Sequence, residues 1–218
     1  MLRGNTSLEQ ILLLLPALIF AFTIHEISHG LMAYLLGDST AKRDGRLSLN
    51  PIRHIDLLGL IFILFVGFGW AKPVMVNPNN LKNPKVDMAL IAVVGPISNF
   101  IMAFLSLMLW YPLMLFTNVP AYITEVLMLF CFLNIILGVF NLIPIPPLDG
   151  SKVIAGALPD FIYNNLPPIG RFGMLLLLVL ILSGVPAQFL LPMAEQIRNM
   201  LLSSTVSIYG WIWAAVLN

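Results

Sequence analysis

The stretch LEQILLLLPALIFAFTIHEISHGLMAYLLG, residues 8–37, decides the fold. It carries no charge from Ile11 to Ile24, then runs through His25-Glu26-Ile27-Ser28-His29 and resumes its apolar pattern as far as Gly37. A cleaved leader would end at a small-x-small site. No such site follows Ile24, so the reading predicts a retained spanning helix from Leu8 to Leu36, capped by Ser7, ended by Gly37 and kinked at Pro16. At about 1.5 Å per residue it measures roughly 43 Å, more than the ~30 Å hydrocarbon layer, and it must tilt or emerge on one side. His25 lies roughly 25 Å along it from Leu8, near the far edge of the hydrocarbon but still inside it.

The whole chain supports a membrane setting. Of its 218 residues 59% are hydrophobic and 10% charged, whereas soluble domains carry about a quarter charged residues. A net charge of +1 gives no reason to expect nucleic acid as a partner. The single cysteine, Cys131, excludes an internal disulfide and a cysteine-rich zinc site, and reads as a packing residue.

Outward from the first helix, residues 38–56 are polar. The alternation in Ala41–Leu49 and the Asp44-Gly45 turn predict a small β-hairpin. Leu57 to Trp70 is apolar but short and broken by Gly59, Gly67 and Gly69, which suits a re-entrant or interfacial segment. A proline-punctuated polar loop covers 71–87. Met88–Phe116 and Tyr122–Leu142 read as two spans joined by a tight turn at Thr117–Ala121. IPIPPLDG then breaks the helix, Ser151–Leu158 forms a short one, and Phe172–Leu191 and Tyr209–Leu217 are further apolar stretches. The expected architecture is an all-α polytopic membrane protein of five to six membrane segments, one membrane-embedded domain over 1–218, with the hairpin and the re-entrant segment on the cytoplasmic side.

Charge fixes the expected orientation. Arg3 alone precedes the first helix, while Lys42, Arg43, Arg46, Arg53, Lys72, Lys82 and Lys85 follow it. The positive-inside rule puts the N-terminus outside and residues 37–87 in the cytoplasm. Two further crossings return Asp149 to that same side.

His25-Glu26-Ile27-Ser28-His29 matches H-E-x-x-H. On a helix, positions i and i+4 share a face, so both imidazoles can reach one ion, while Glu26 meets a metal-bound water instead of the metal. Zinc brings such a water towards a pKa of about 7, and Glu26 is then the general base for attack on a peptide carbonyl and the proton donor to the leaving amine. Ionisable residues inside a spanning helix cost ~2.5 kcal/mol or more and point to function. A catalytic zinc wants a third protein ligand. Asp149, in a loop flanked by Pro146-Pro147 and Gly150, is one candidate; its other reading is a cap for the helix beginning near Ser151. His54 reads as a cytoplasmic histidine bonded within the hairpin, and Lys152 as a partner of Asp149 or of lipid phosphate.

HEISH at 25–29, GPISN at 95–99 and NLIPIPPLDG at 141–150, together with GRLSLNPIRHID at 45–56 and FGWAKPVMVN at 68–77, resemble the site-2 protease family of intramembrane metalloproteases, in its short, single-domain prokaryotic branch. The resemblance implies one zinc per chain held by His25, His29 and Asp149, with Glu26 as catalytic base. It implies a multi-pass protein of a prokaryotic cell membrane and a transmembrane peptide or protein as substrate. It also suggests that Asn99 and Asn141 line the site as substrate or oxyanion support, the alternative being interhelical hydrogen bonds. Gly95 permits close helix approach in either case. A stretch of substrate is expected to pair with the 41–49 hairpin. The competing functions are a metal transporter, which has no use for Glu26, and an inactive, substrate-holding homologue, which has no use for a complete set of His25, Glu26, His29 and Asp149.

Overall fold

The computed structural model describes residues 8–66, 69–115, 118–163, 165 and 170–217. Arg3, Ser7, Gly67 and Thr117, used in the sequence reading, lie outside the described residues. The helices are α1 (Leu8–Leu35), α2 (Thr40–Arg43), α3 (Leu57–Val66), α4 (Pro84–Leu115), α5 (Ala121–Asn141), α6 (Asp149–Ala157), α7 (Asp160–Tyr163), α8 (Gly170–Ser183) and α9 (Val185–Leu217). Two short 3-10 turns, Pro51–Arg53 and Pro78–Asn80, punctuate the polar loops.

Three helices are long and apolar enough to cross a membrane: Leu13–Leu35, Pro84–Leu115 and Ala121–Asn141. A fourth crossing arises if α8 and α9, bent by 76° at Gly184, count as one broken span. That is three or four among the described residues, fewer than the five to six expected from sequence. The difference lies in the 57–70 segment, whose helix α3 has only 10 residues, and in the second half of the chain. Phe172–Leu191 is not one apolar run, because Gly184 takes a φ of 73° and ends α8 there. Residues 192–208, polar by composition, continue the 33-residue α9. Its hydroxyls bond within the helix, as Ser204 Oγ does to Met200 O and Thr205 Oγ1 to Leu201 O, and Arg198 pairs with Glu195 one turn back.

The central helix is α4, which touches α1, α5, α6 and α9. Its face towards α1 includes small residues: Ala92 and Gly95 are buried on α4, and Ala21 and Ala33 on α1. In apolar surroundings such residues let backbones approach closely, and dispersion contacts do the rest. Its other face packs with Cys131, Ile135 and Val139 of α5 and Ala194 of α9, so the cysteine is a buried packing residue.

The predicted hairpin at 41–49 is not formed. Thr40–Arg43 is a helical turn and Gly45 turns the chain at φ 66°; among the described residues no strand occurs, only an isolated antiparallel bridge between Ile55 and Ala71. The cause is tertiary. Ala41 is buried beneath Gly30 of α1, and the buried Asp38 carboxylate accepts from Thr40 N and Thr40 Oγ1, which starts the turn. The Ile55–Ala71 bridge brings together the two ends of the 57–70 segment. The chain leaves along α3 and returns beside it, with Phe62 and Trp70 rings 5.2 Å apart.

Candidate metal centre

Helical periodicity puts His25 and His29 on one face of α1, and that face meets α4. Both rings rest on Gly95, where an added Cβ would come within 2.3 Å of His29 Cε1 and 2.7 Å of His25 Cε1. The outer nitrogens are engaged. His29 Nδ1 donates to the Ile91 carbonyl at 2.7 Å, and His25 Nδ1 donates to Asn99 Oδ1 at 2.6 Å. With the protons on Nδ1, both Nε2 atoms carry bare lone pairs, and they stand 3.0 Å apart.

Asp149 completes a triangle. It is the first residue of α6, whose N-cap is Leu148. Its Oδ2 lies 3.1 Å from each Nε2, so its carboxylate faces the histidines and is not used as a helix cap. Gly150 allows the approach, because a Cβ there would sit 2.2 Å from Leu142 O. Lys152, one turn on, places Nζ 3.6 Å from the other carboxylate oxygen, Oδ1.

Three acceptor atoms converging with no proton among them repel each other unless a cation lies between them. Four-coordinate zinc with bonds of about 2.0–2.1 Å separates its donors by roughly 3.3 Å, close to the 3.0 and 3.1 Å edges seen here. The donor set of two neutral imidazoles and a carboxylate therefore fits zinc. Among the described residues His25, His29 and Asp149 are the one group of three such side chains able to share an ion.

These residues open on a cavity of about 270 Å³, lined also by Glu26, Asn141, Lys152 and the extended stretch Pro73–Val76. Glu26 reaches this wall and accepts from Val74 N at 2.8 Å. The stretch is held at both ends by buried charges. The Arg46 guanidinium donates to Lys72 O and to Pro73 O, while Asp38 Oδ2 accepts from Asn77 N at 2.7 Å.

The chain is 36% identical over 201 residues to "Putative zinc metalloprotease YwhC" of Bacillus subtilis, covering 90% of this chain and 92% of that protein. Residues 117–182 match Peptidase family M50. The chain belongs to peptidase family M50, the site-2 proteases. Two further relatives are each described as "Putative zinc metalloprotease Rip2". One, from Mycolicibacterium smegmatis, is 25% identical over 181 residues, 79% of this chain and 67% of that protein. Another, from Mycobacterium tuberculosis, is 29% identical over 165 residues, 73% of this chain and 62% of its own length. No solved structure gives a significant match.

For this M50 chain the two asparagines part company. Asn141 lines the cavity, with one amide hydrogen donated to Leu137 O at 3.0 Å. Asn99 is fully buried behind His25; its Nδ2 donates to Asn134 Oδ1 at 2.9 Å and lies 3.5 Å from Ala21 O. Its bonds are interhelical, the alternative held open from sequence. His54 lies away from the cavity, with Nε2 donating to Ser48 O at 2.9 Å.

Sequence reasoning missed Asn134, Arg46, Asp38 and the backbone of Val74. A clue existed for Asn134, since a polar amide inside an apolar helix needs a partner. No local pattern marks the other three.

Proposed function

We propose that this chain is a zinc-dependent intramembrane endopeptidase that cuts a membrane-embedded peptide near the cytoplasmic leaflet, with Glu26 as general base. One observation carries the reading: three unprotonated donor atoms converge beside a carboxylate that faces the same cavity. Bound there by His25, His29 and Asp149, zinc supplies a Lewis acid that polarises a carbonyl and acidifies water.

The chain's own residues do the rest. Val74 N–H holds Glu26 Oε2 at the cavity wall, which leaves Oε1 to take a proton from the attacking water and pass it to the leaving amine. The second amide hydrogen of Asn141 can donate to the developing oxyanion, where one well-aimed donor is worth about 10²–10³ in rate. A helical substrate hides its carbonyls in its own hydrogen bonds and must unwind. The 41–49 hairpin offered no strand to pair with. The extended Pro73–Val76 wall is the better support for an unwound stretch, because Met75 and Val76 make no backbone hydrogen bond to the described residues.

The unit is one membrane-embedded domain over 1–218 in a prokaryotic cell membrane. Its N-terminus is outside, and the basic loops between α1 and α4 face the cytoplasm. The test is cleavage of a transmembrane peptide by the detergent-solubilised chain beside E26Q. The variant keeps its zinc and loses about 10²–10⁴ in rate; undiminished cleavage by E26Q would sink the general-base assignment.

A further inference from the structure

Two fully buried asparagines, Asn99 on α4 and Asn134 on α5, sit behind His25 on α1. They form one chain of hydrogen bonds across the three helices, and its polarity can be worked out from its far end. Asn134 Nδ2 lies 2.9 Å from Phe130 O. A backbone carbonyl only accepts, so the atom facing it must be the amide nitrogen, and Asn134 must turn its oxygen towards Asn99. That oxygen only accepts as well. Asn99 therefore presents its nitrogen to Asn134 at 2.9 Å, which leaves its own oxygen towards His25 Nδ1 at 2.6 Å. An oxygen there requires the proton to be on Nδ1, and Nε2 is left bare towards Asp149 and His29.

We propose that Asn134 is a positioning residue for the metal centre: through Asn99 it sets the tautomer and ring orientation of His25, so that one turn of α5 determines the donor quality of a ligand on α1. The inference rests on the zinc reading above. Reversing Asn134 would set its N–H against the N–H of Asn99 and its oxygen against Phe130 O, while reversing Asn99 would set oxygen against oxygen and offer His25 a donor where it needs an acceptor. Partners of metal-bound imidazoles act in this way by fixing the tautomer and raising basicity.

The test is the apparent zinc affinity of the full-length chain in detergent, measured by competition with a chelating dye. N99L lowers affinity by roughly 10–100-fold, the range for loss of a direct outer partner, and N134L by about tenfold. Because Asn134 acts through Asn99, N99L/N134L binds no more weakly than N99L alone.

Conservative exchange separates positioning from packing. In an apolar surround the carboxyl of N134D stays protonated; it donates to Phe130 O and accepts from Asn99, so N134D binds zinc within about twofold of the parent, by the same polarity rule. N134S keeps a bond to its own helix but cannot reach Asn99. It reproduces the N134L loss and replaces that variant if leucine is not tolerated.

Parent-like affinity in N134L or N134S overturns the inference, as does additivity in the double variant or failure of N134D to hold zinc. A parent chain that binds no zinc overturns the metal reading with it, and is distinguished by that control alone.

Discussion

Gly95 stands directly under His29: a Cβ on the glycine would lie 2.3 Å from ring atom Cε1 and 2.5 Å from Nε2. Neither ring is free to give way, because His29 is tied to Ile91 O and His25 to Asn99. Gly95→Ala should therefore displace the ligands, at an overpacking cost of about 1–3 kcal/mol. Zinc content per chain, measured by elemental analysis, falls sharply while helix content by circular dichroism stays unchanged. A fully metallated G95A would show that the rings have slack the distances deny.

Asp149 is the only one of the three donors on α6. Removing it in Asp149→Ala leaves two imidazoles and an open side to the site. The expected weakening of zinc binding exceeds the roughly 10–100-fold that loss of an outer partner costs. Dialysis against a chelator followed by zinc quantification checks this; an unchanged zinc content removes Asp149 from the ligand set.

Arg46 holds the cavity wall from outside, through Lys72 O and Pro73 O. Hydrogen bonds to a charged group contribute about 1.5–3 kcal/mol each, so Arg46→Ala frees the stretch that carries Val74 N. Peptide cleavage should fall by at least about tenfold, equivalent to 1.4 kcal/mol, with zinc content unchanged. Equal rates for R46A and the parent would mean the stretch is held by something else.

Asp38 gives a pH dependence with a definite sign. Burial raises its pKa, yet hydrogen bonds from Thr40, Asn80 and Asn77 outweigh that and lower it from the ordinary 3.8 to about 2. A folded value below the unfolded one means that the stabilisation is complete above about pH 4 and fades as the pH falls towards 2. Thermal unfolding in detergent should show the parent losing more stability than D38N across that window, and a parallel decline in both would remove Asp38 as the cause.

Much of this was legible in the sequence because it is local. The first helix was read as Leu8–Leu36 and runs Leu8–Leu35. The span read as Tyr122–Leu142 runs Ala121–Asn141. Apolar run length and breaker residues suffice for both. Three motif residues on one helix and a proline-broken loop pointed to the group that converges. What failed depends on distant partners. Ala41–Leu49 alternates like a strand, but the buried Asp38 and the contact of Ala41 with Gly30 override the alternation. The wall at 73–76 has no periodicity of its own, since its shape is set by Arg46 and Asp38. Asn134 carries no motif, and its role exists only once α4 stands between it and α1.

The site draws on residues far apart in the chain: His29 and Asp149 are separated by 120 positions. A ribosome adding about 5–20 residues per second needs roughly 6–24 s to cover that distance. Throughout that interval α1 already displays two imidazoles and a carboxylate, but the pocket lacks its third side. The geometry thus imposes a delay on metal binding: a site that needs all three donors is complete only once α6 has emerged and docked.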